Sequence, residues 1–190
     1  MPGRRTGTRQ RIVDTSMRMF VEQGYDGTSL REIAEALEVT KAALYYHFRT
    51  KEEIVEEAFG AHEHRLDELM RWLETTGPSA DRDAELLDRI DALFSGESGL
   101  VMRFGQVNRA VMFRESFGAR HLELMSRLIG TLTRDAPGVE GRLRSILAFG
   151  AVVLAATGPS DDEAFELGGT ADERRAAGRR VAGELLAGLR

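Results

Sequence analysis

The 190-residue chain is 42% hydrophobic and contains no cysteine, so it can form a domain with a smaller companion, whereas disulfides and thiolate metal sites are excluded. No apolar run approaches the roughly 18 to 20 residues of a membrane span, and we expect a soluble, cytoplasmic protein without a membrane partner. The formal net charge of −5 would argue against nucleic-acid binding if the charges were evenly spread. Residues 1–51, however, carry nine basic and six acidic side chains. This basic N-terminal segment on an acidic body indicates that the segment binds phosphate.

A first amphipathic helix is predicted over residues 8–23. Its core-facing side chains recur at helical spacing and are Ile12, Val13, Ser16, Met19 and Phe20. Gly24 is expected to end the helix in the left-handed conformation. Residues 1–7 precede it, and Arg4 and Arg5 together with Arg9 either form an arm that reaches DNA phosphates or the minor groove or belong to a disordered, solvated terminus.

Two short helices joined by a tight turn are predicted next. Ser29 followed by Glu32 is a capping box that starts a helix at Leu30. Thr40 is the expected N-cap of the following helix. The turn Leu37-Glu38-Val39 between them is too short for antiparallel packing and favours a steep crossing of the two helices.

The third predicted helix, from Lys41 to His47, has outward positions that suit DNA. Lys41 can donate to guanine O6 or N7, and Ala42 is small enough to let the backbone approach or to contact a thymine methyl group. The hydroxyl groups of Tyr45 and Tyr46 and the imidazole of His47 can donate to phosphates. Such a surface is unusual for a core helix.

A long fourth helix is predicted from Lys51 to a point before Gly77. A second capping box at Thr50 opens it and leaves Lys51 near its N-terminal end, where backbone amides and the ammonium group favour an anion. The helix would belong to both the N-terminal segment and the body, so it could transmit a change between them. The run 62–64, His-Glu-His, suggests a metal site, but positions i and i+2 point to different faces, and surface histidines are the preferred interpretation.

These spaced residues closely resemble the TetR family of bacterial transcriptional regulators. The resemblance covers residues 12–54 and rests on Ile12-Val13, Met19-Phe20, Gly24-Tyr25, Thr28-Ser29, Ile33-Ala34, Val39-Thr40, Leu44-Tyr45-Tyr46-His47-Phe48 and Lys51-Glu52-Glu53-Ile54. It implies that Lys41, Ala42, Tyr45 and Tyr46 lie at or near base edges in the major groove, and that Thr28, His47 and Lys51 lie at the phosphate backbone. Ser29 and Thr40, the two N-cap residues, complete the predicted DNA-binding set.

Two residues depart from the family pattern. Glu38 stands where members typically have a turn glycine, and Ala42 stands where many have glycine or proline. If position 38 requires a positive φ, glutamate costs on the order of 1 kcal/mol there. We expect a small adjustment of the turn rather than loss of the motif.

The rest of the chain is predicted to be helical. Helical patterns cover residues 81–94, 99–115, 118–134, 139–157 and 170–189. The protein is therefore expected to be all-α with about nine helices. The predicted organisation is an N-terminal helix-turn-helix DNA-binding domain, residues 1–50, and a C-terminal ligand-binding and dimerisation domain, residues 51–190.

A ligand pocket is implied by the family resemblance, because the corresponding helices commonly enclose one. Soft methionine side chains with a few polar groups would suit such a pocket, although a plain core is the alternative for each residue. The predicted lining comprises Met102, Asn108, Met112, Phe113, Phe117, His121 and Met125.

A dimer interface is predicted from the segment 146–156, which carries no charge on any face. A helix that is apolar all round must be buried all round, and eleven residues are too few to cross a bilayer. One side could pack on its own domain and the other on a second subunit; a fully internal helix of a monomer is the alternative. The predicted interface comprises Leu147, Gly150, Ala151, Leu154 and Ala155, with Val181, Leu185 and Leu189 of the last helix.

The leading hypothesis is a homodimeric regulator, most often a repressor in this family, that binds a near-palindromic double-stranded DNA operator and is released by a small-molecule effector. The alternatives are a regulator or DNA-architectural protein without a ligand, and an enzyme that uses the helical body. The sequence contains no nucleophile with its base, paired carboxylates, metal cluster or phosphate-binding loop at a diagnostic spacing. We therefore expect no catalytic residue, no metal and no cofactor.

Overall fold

The computed structural model describes residues 3–157 and 167–189, with the side chains of residues 4–6, 97 and 98 left undescribed. Within this part of the chain, all regular structure is helical, which confirms the all-α prediction. The helices are α1 (Gly3–Glu22), α2 (Leu30–Ala36), α3 (Lys41–His47), α4 (Lys51–Thr75), α5 (Ala80–Phe94), a 3-10 turn (Gly96–Gly99), α6 (Leu100–Val107), α7 (Arg109–Arg114), α8 (Ser116–Thr133), α9 (Gly138–Thr157) and α10 (Ala171–Ala187). None of the described helices has the length and apolar character needed to cross a membrane.

The chain forms two compact units. The first contains Met1–His62 and Leu100–Arg120, and the second contains Glu63–Gly99 and His121–Arg190. Helices α6 and α7 therefore pack with the N-terminal helices. The division into a DNA-binding domain, residues 1–50, and a ligand-binding and dimerisation domain, residues 51–190, stays a prediction.

An aromatic cluster fills the core of the first unit. Phe59 and Phe117 lie with ring centroids 4.9 Å apart, and Phe104 packs edge-on to Phe20 at 6.2 Å and to Tyr25 at 5.9 Å. Each such pair contributes about 0.5–1.5 kcal/mol beyond the burial of its apolar area. Because Phe104 belongs to α6, this cluster fixes α6 against α1.

The helix predicted over residues 99–115 is broken at Asn108, so that prediction was wrong. Asn108 separates α6 from α7 and has a ψ of 46°, outside the helical region. Its side chain is hydrogen bonded to main-chain groups near the end of α1. These distant contacts determine the break, and local sequence does not reveal them.

Helices α9 and α10 pack closely in the second unit. A Cβ atom added to Gly178 of α10 would lie 2.5 Å from the Cβ atom of Ala155 in α9, so only glycine permits this approach. The buried residues of α9 are Gly141, Ser145, Ala148, Val152 and Ala155. The opposite face of α9 is exposed in the single chain, which contradicts the alternative of a fully internal helix of a monomer. Burial of that face by a second subunit stays a prediction.

Candidate DNA-binding surface

The start of α2 is held by the predicted capping box. The amide of Glu32 donates to the Ser29 hydroxyl oxygen at 3.3 Å, and the amide of Ser29 donates to the Glu32 carboxylate at 2.8 Å. The Ser29 hydroxyl also donates to Glu32, at 2.6 Å, and this bond is the largest cause that lowers the pKa of Glu32. The Ser29 side chain thus caps the helix, and a DNA contact by Ser29 remains a prediction.

The turn between α2 and α3 closes as a Schellman motif. The amide of Val39 donates to the Ala34 carbonyl at 3.0 Å, and the amide of Glu38 donates to the Glu35 carbonyl at 3.1 Å. This pattern requires the left-handed conformation at the residue after the C-cap, and Glu38 has a φ of 55°. The motif is retained as expected, and the backbone strain falls on a residue with a side chain.

Helix α3 has a buried face and an exposed face. Leu44 and Phe48 are both 0% exposed and anchor the helix, as predicted, whereas Tyr45 is 50% exposed and Tyr46 is 66% exposed. Lys41 and Ala42 are also exposed. Thr40 caps the helix by accepting a hydrogen bond from the amide of Ala43 at 3.1 Å.

Arg9 caps the C-terminal end of α3 and does not form part of an arm. Its Nη1 atom donates to the His47 carbonyl at 2.8 Å, its Nε atom donates to Glu57 at 2.8 Å, and its guanidinium lies 4.1 Å from the centroid of the Phe48 ring. Helix α1 begins at Gly3, so the predicted arm is helical over residues 3–7; the side chains of Arg4 and Arg5 lie outside the described part. The sequence pattern gave no signal for the contacts of Arg9, because its partners are 38 and 48 residues away.

Thr28 and Lys51, two predicted phosphate contacts, hold the link between α1 and α2, and a phosphate contact by Lys51 stays a prediction. Thr28 is 1% exposed, and its hydroxyl donates to the Gly24 carbonyl at 2.9 Å. The Lys51 ammonium donates to the Tyr25 carbonyl at 2.6 Å and to the Thr28 carbonyl at 2.8 Å. The Thr28 side chain is thus not presented to a phosphate, and the main contacts of Lys51 are within the protein. Gly24, with a φ of 80°, ends α1 as predicted.

Tyr25 is a further residue of this link, and the sequence assigned it no role beyond the family resemblance. Its hydroxyl donates to the Glu52 carboxylate at 2.5 Å, and the Lys51 ammonium lies 4.3 Å from the centroid of its ring. Burial, followed by the bond to Glu52, raises the pKa of Tyr25, and the hydroxyl in turn lowers the pKa of Glu52. The start of α4 therefore contacts both the ring and the hydroxyl group of Tyr25.

The predicted pocket residues do not form one lining in the first unit. Asn108 is 8% exposed and bonded to main-chain groups, Phe117 is buried in the aromatic cluster, and Phe113 is 83% exposed. An exposed phenylalanine cannot line an enclosed pocket, so the prediction that Phe113 lines the ligand pocket was wrong. Met102 and Met112 are partly buried.

The second unit contains the other two predicted pocket residues. His121 is 5% exposed, and burial lowers the pKa of its imidazole; Met125 is partly buried. Cavities in this unit lie between α4 and α8, about 620 Å³, and between α9 and α10, about 550 Å³. Neither cavity is lined by any of the seven predicted residues, and a ligand pocket stays a prediction.

The predicted dimer residues divide into exposed and buried positions. Leu147, Leu154 and Val181 are 50%, 39% and 48% exposed, and Gly150 is also exposed. The prediction that Ala155 lies in the dimer interface was wrong, because Ala155 is 5% exposed and packs against α10 of the same chain. The partly buried members are Ala151, Leu185 and Leu189.

The two histidines of the 62–64 run have different environments. His62 is 0% exposed, which corrects its interpretation as a surface residue. His64 is exposed and lies 3.5 Å from Glu68. The described residues include no group of three or more His, Cys, Asp or Glu side chains that could hold a metal ion.

Comparison with known families identifies the N-terminal segment. Residues 12–58 match the family model of bacterial regulatory proteins, tetR family. These residues are similar to the regulatory domain of the TetR family. This match contains α2, α3 and the first turns of α4, and it confirms the resemblance inferred from the sequence.

Curated TetR-family relatives match in the same part of the chain. The transcriptional regulator AcrR of Shigella flexneri is 44% identical over 62 residues, which are 33% of this chain and 29% of AcrR. The biofilm operon negative transcriptional regulator IcaR of Staphylococcus aureus (strain Newman) is 44% identical over 50 residues, 26% of this chain and 27% of IcaR. The matched segments thus span less than a third of these relatives.

Solved structures of TetR-family type resemble almost the whole chain in fold. The ketosteroid transcriptional regulator KstR2 of Mycobacterium tuberculosis has a TM-score of 0.70 at 16% identity, covering 96% of this chain and 94% of KstR2. AibR in complex with isovaleryl coenzyme A and operator DNA has a TM-score of 0.60 at 18% identity, covering 95% and 97%. At these identities the likeness shows the fold alone.

Proposed function

We propose that this protein is a sequence-specific DNA-binding transcriptional regulator that reads the major groove with α3. The observation that carries the proposal is the two-faced character of this helix. Leu44 and Phe48 hold it by complete burial, while Lys41, Tyr45 and Tyr46 are exposed. An ammonium and two phenol groups on a rigid helix are donors that suit base edges and phosphates.

The protein acts as a homodimer in this proposal. The large exposed apolar residues of α9 lie on one stripe of the helix: Val139, Leu143, Ile146, Leu147 and Leu154. Val181 of α10 is likewise exposed. A contiguous apolar stripe of this kind marks a protein interface, and two copies related by a two-fold axis would bind half-sites about one helical turn apart.

The regulator represses transcription in this proposal and leaves its operator when a small molecule binds. The name of IcaR, a negative regulator, supports repression. The complex of AibR with isovaleryl coenzyme A and operator DNA supports a small-molecule effector, and release from the operator is the part of the proposal that the titration below tests. A ligand lowers DNA affinity only if it binds the DNA-free form more tightly. Such a protein acts in the cytoplasm and is not an enzyme.

Selection of bound duplexes from a random DNA pool tests the proposal. The full-length protein is expected to enrich a near-palindromic sequence with two half-sites about one helical turn apart, or a multiple of it. Recovery of unrelated sequences with equal affinity would instead support a DNA-architectural protein.

The effector is tested separately by titrating small molecules, beginning with acyl coenzyme A compounds, against the complex with the selected duplex. Release of intact DNA supports the repressor, and conversion of the added compound supports an enzyme. Tight binding that no compound reverses would remove the effector from the proposal and leave the DNA-binding function in place.

A further inference from the structure

Asn108 is a buried polar residue whose side chain is fully engaged with the main chain. It is 8% exposed, and its Oδ1 atom accepts a hydrogen bond from the amide of Tyr25 at 2.8 Å. Its Nδ2 atom donates to the Phe20 carbonyl at 3.1 Å and to the Phe104 carbonyl at 3.2 Å. Since both donors and the oxygen of the amide are used, this side chain serves as a bridge between α6 and the end of α1.

The bridge ends on Tyr25, which lies in the link between α1 and α2. The Tyr25 amide is held by Asn108, its carbonyl by Lys51 and its hydroxyl by Glu52. Its ring packs on Phe20 at 5.2 Å. Every polar group of Tyr25 is thus bonded either to Asn108 or to the start of α4.

The same bridge completes the end of α1. The Phe20 carbonyl belongs to the last turn of α1, where carbonyls lack partners within the helix. Asn108 supplies a donor to it from α6. The Asn108 side chain thus joins the last turn of α1 to the link that follows it.

We propose that Asn108 is a positioning residue for DNA binding, which sets the direction of α2 and α3 by bridging α6 to Phe20 and Tyr25. The inference rests on the proposed function, because it assigns Asn108 to the presentation of α3. The inference also gives the break between α6 and α7 a role. The backbone leaves the helix at Asn108, the residue whose side chain bonds to the Tyr25 amide.

Comparing the affinity for the operator with the affinity for an unrelated duplex separates a role of Asn108 in positioning α3 from a role in folding alone. Base contacts depend on the orientation of α3, whereas non-specific affinity depends on the number of phosphates that basic groups neutralise. Asn108→Ala is therefore expected to lower the affinity for the selected operator by at least about tenfold. Affinity for an unrelated duplex should stay within about threefold of wild type.

The matched control is Val111→Ala, which removes apolar atoms from the same core at a residue that is 2% exposed. Both variants are compared at equal loss of thermal stability, with fluorescence anisotropy on the two duplexes. Val111→Ala should reduce both affinities together or leave both unchanged, because partial unfolding removes the same fraction of protein from each reaction. Equal behaviour of the two variants would overturn the inference.

A second variant covers the case in which Asn108→Ala does not fold. In Asn108→Asp the ionised carboxylate still accepts from the Tyr25 amide but cannot donate to the Phe20 and Phe104 carbonyls. Burial and the two carbonyls raise the pKa of the introduced carboxyl, so lowering the pH returns a donor. The ratio of operator affinity between variant and wild type should rise toward one as the pH falls; a ratio that does not change with pH overturns the inference.

The wild-type measurement separates the inference from the function on which it rests. If the wild-type protein selects no sequence, the proposed function fails. If it selects an operator and folded Asn108→Ala binds that operator equally well, only the role of Asn108 fails.

Discussion

Glu38 shows how a single residue can carry strain in an otherwise regular motif. Both hydrogen bonds of the Schellman turn are present at 3.0 and 3.1 Å, and Val39 packs against the core of the first unit. Those contacts hold Glu38 at a φ of 55°, where a Cβ atom costs about 1 kcal/mol relative to glycine.

Glu38→Gly is therefore expected to stabilise the protein. The relief of strain is partly offset by the greater freedom of glycine in the unfolded chain, and a net gain approaching 1 kcal/mol would raise the melting temperature by about 2–4 °C. Thermal unfolding followed by circular dichroism measures the change. The control Glu38→Ala removes the charge but keeps the Cβ atom; if alanine stabilises as much as glycine does, strain is not the cause.

Arg9 is the second residue whose role depends on distant contacts. It joins the His47 carbonyl to Glu57, but its side chain is 42% exposed and that of Glu57 is 34% exposed, so solvent weakens the ion pair. We expect Arg9→Ala to cost about 1 kcal/mol.

Urea unfolding of Arg9→Ala and Arg11→Ala tests this role. Arg11 is an exposed residue of the same helix, and its loss should change the free energy of unfolding by less than about 0.5 kcal/mol. Because the two variants remove the same charge, equal stability losses would show that the contacts of Arg9 contribute nothing beyond its charge.

Helices with local signals were predictable from the sequence, and helices defined by distant contacts were not. The capping box at Ser29 and the N-cap at Thr40 placed the starts of α2 and α3 correctly, because these bonds join residues three apart. The break at Asn108 and the position of Arg9 depend on partners far along the chain. The same limit applied to Thr28, since the pattern gave its position in the motif but not the burial of its hydroxyl.

The exposed face of α9 is the proposed dimer interface. Leu147 is 50% exposed in the single chain, so a charge there should leave the fold intact while it disrupts an apolar interface. Leu147→Glu is expected to convert a dimer to a monomer, measured by sedimentation velocity or light scattering.

Leu122→Glu is the matched control for this change. Leu122 lies on α8 and is 59% exposed, so the substitution adds the same charge to a leucine of similar exposure on another helix. Retention of the dimer by Leu147→Glu, or its loss in both variants, would contradict the proposed interface.

At the scale of the whole molecule, the all-α fold and the buried and exposed faces of α3 agree with the proposed regulator. The family match covers residues 12–58, and the all-α fold extends the likeness to nearly the whole chain. The predicted pocket was less accessible to sequence reasoning, because apolar spacing does not distinguish a residue that fills a core from one that lines a cavity. Phe117 illustrates this, as its ring packs 4.9 Å from that of Phe59.

The central claim is that α3 reads base edges, and Lys41 tests it most directly. The measurement compares wild type, Lys41→Ala and the charge control Arg65→Ala on the selected operator and on duplexes with each base pair of one half-site replaced. Lys41→Ala should lose discrimination at one or two adjacent base pairs, worth about 1–3 kcal/mol, whereas Arg65→Ala should retain the wild-type profile. An unchanged profile for Lys41→Ala, with a uniform loss of affinity for every duplex, would contradict the assignment of Lys41 to a base contact.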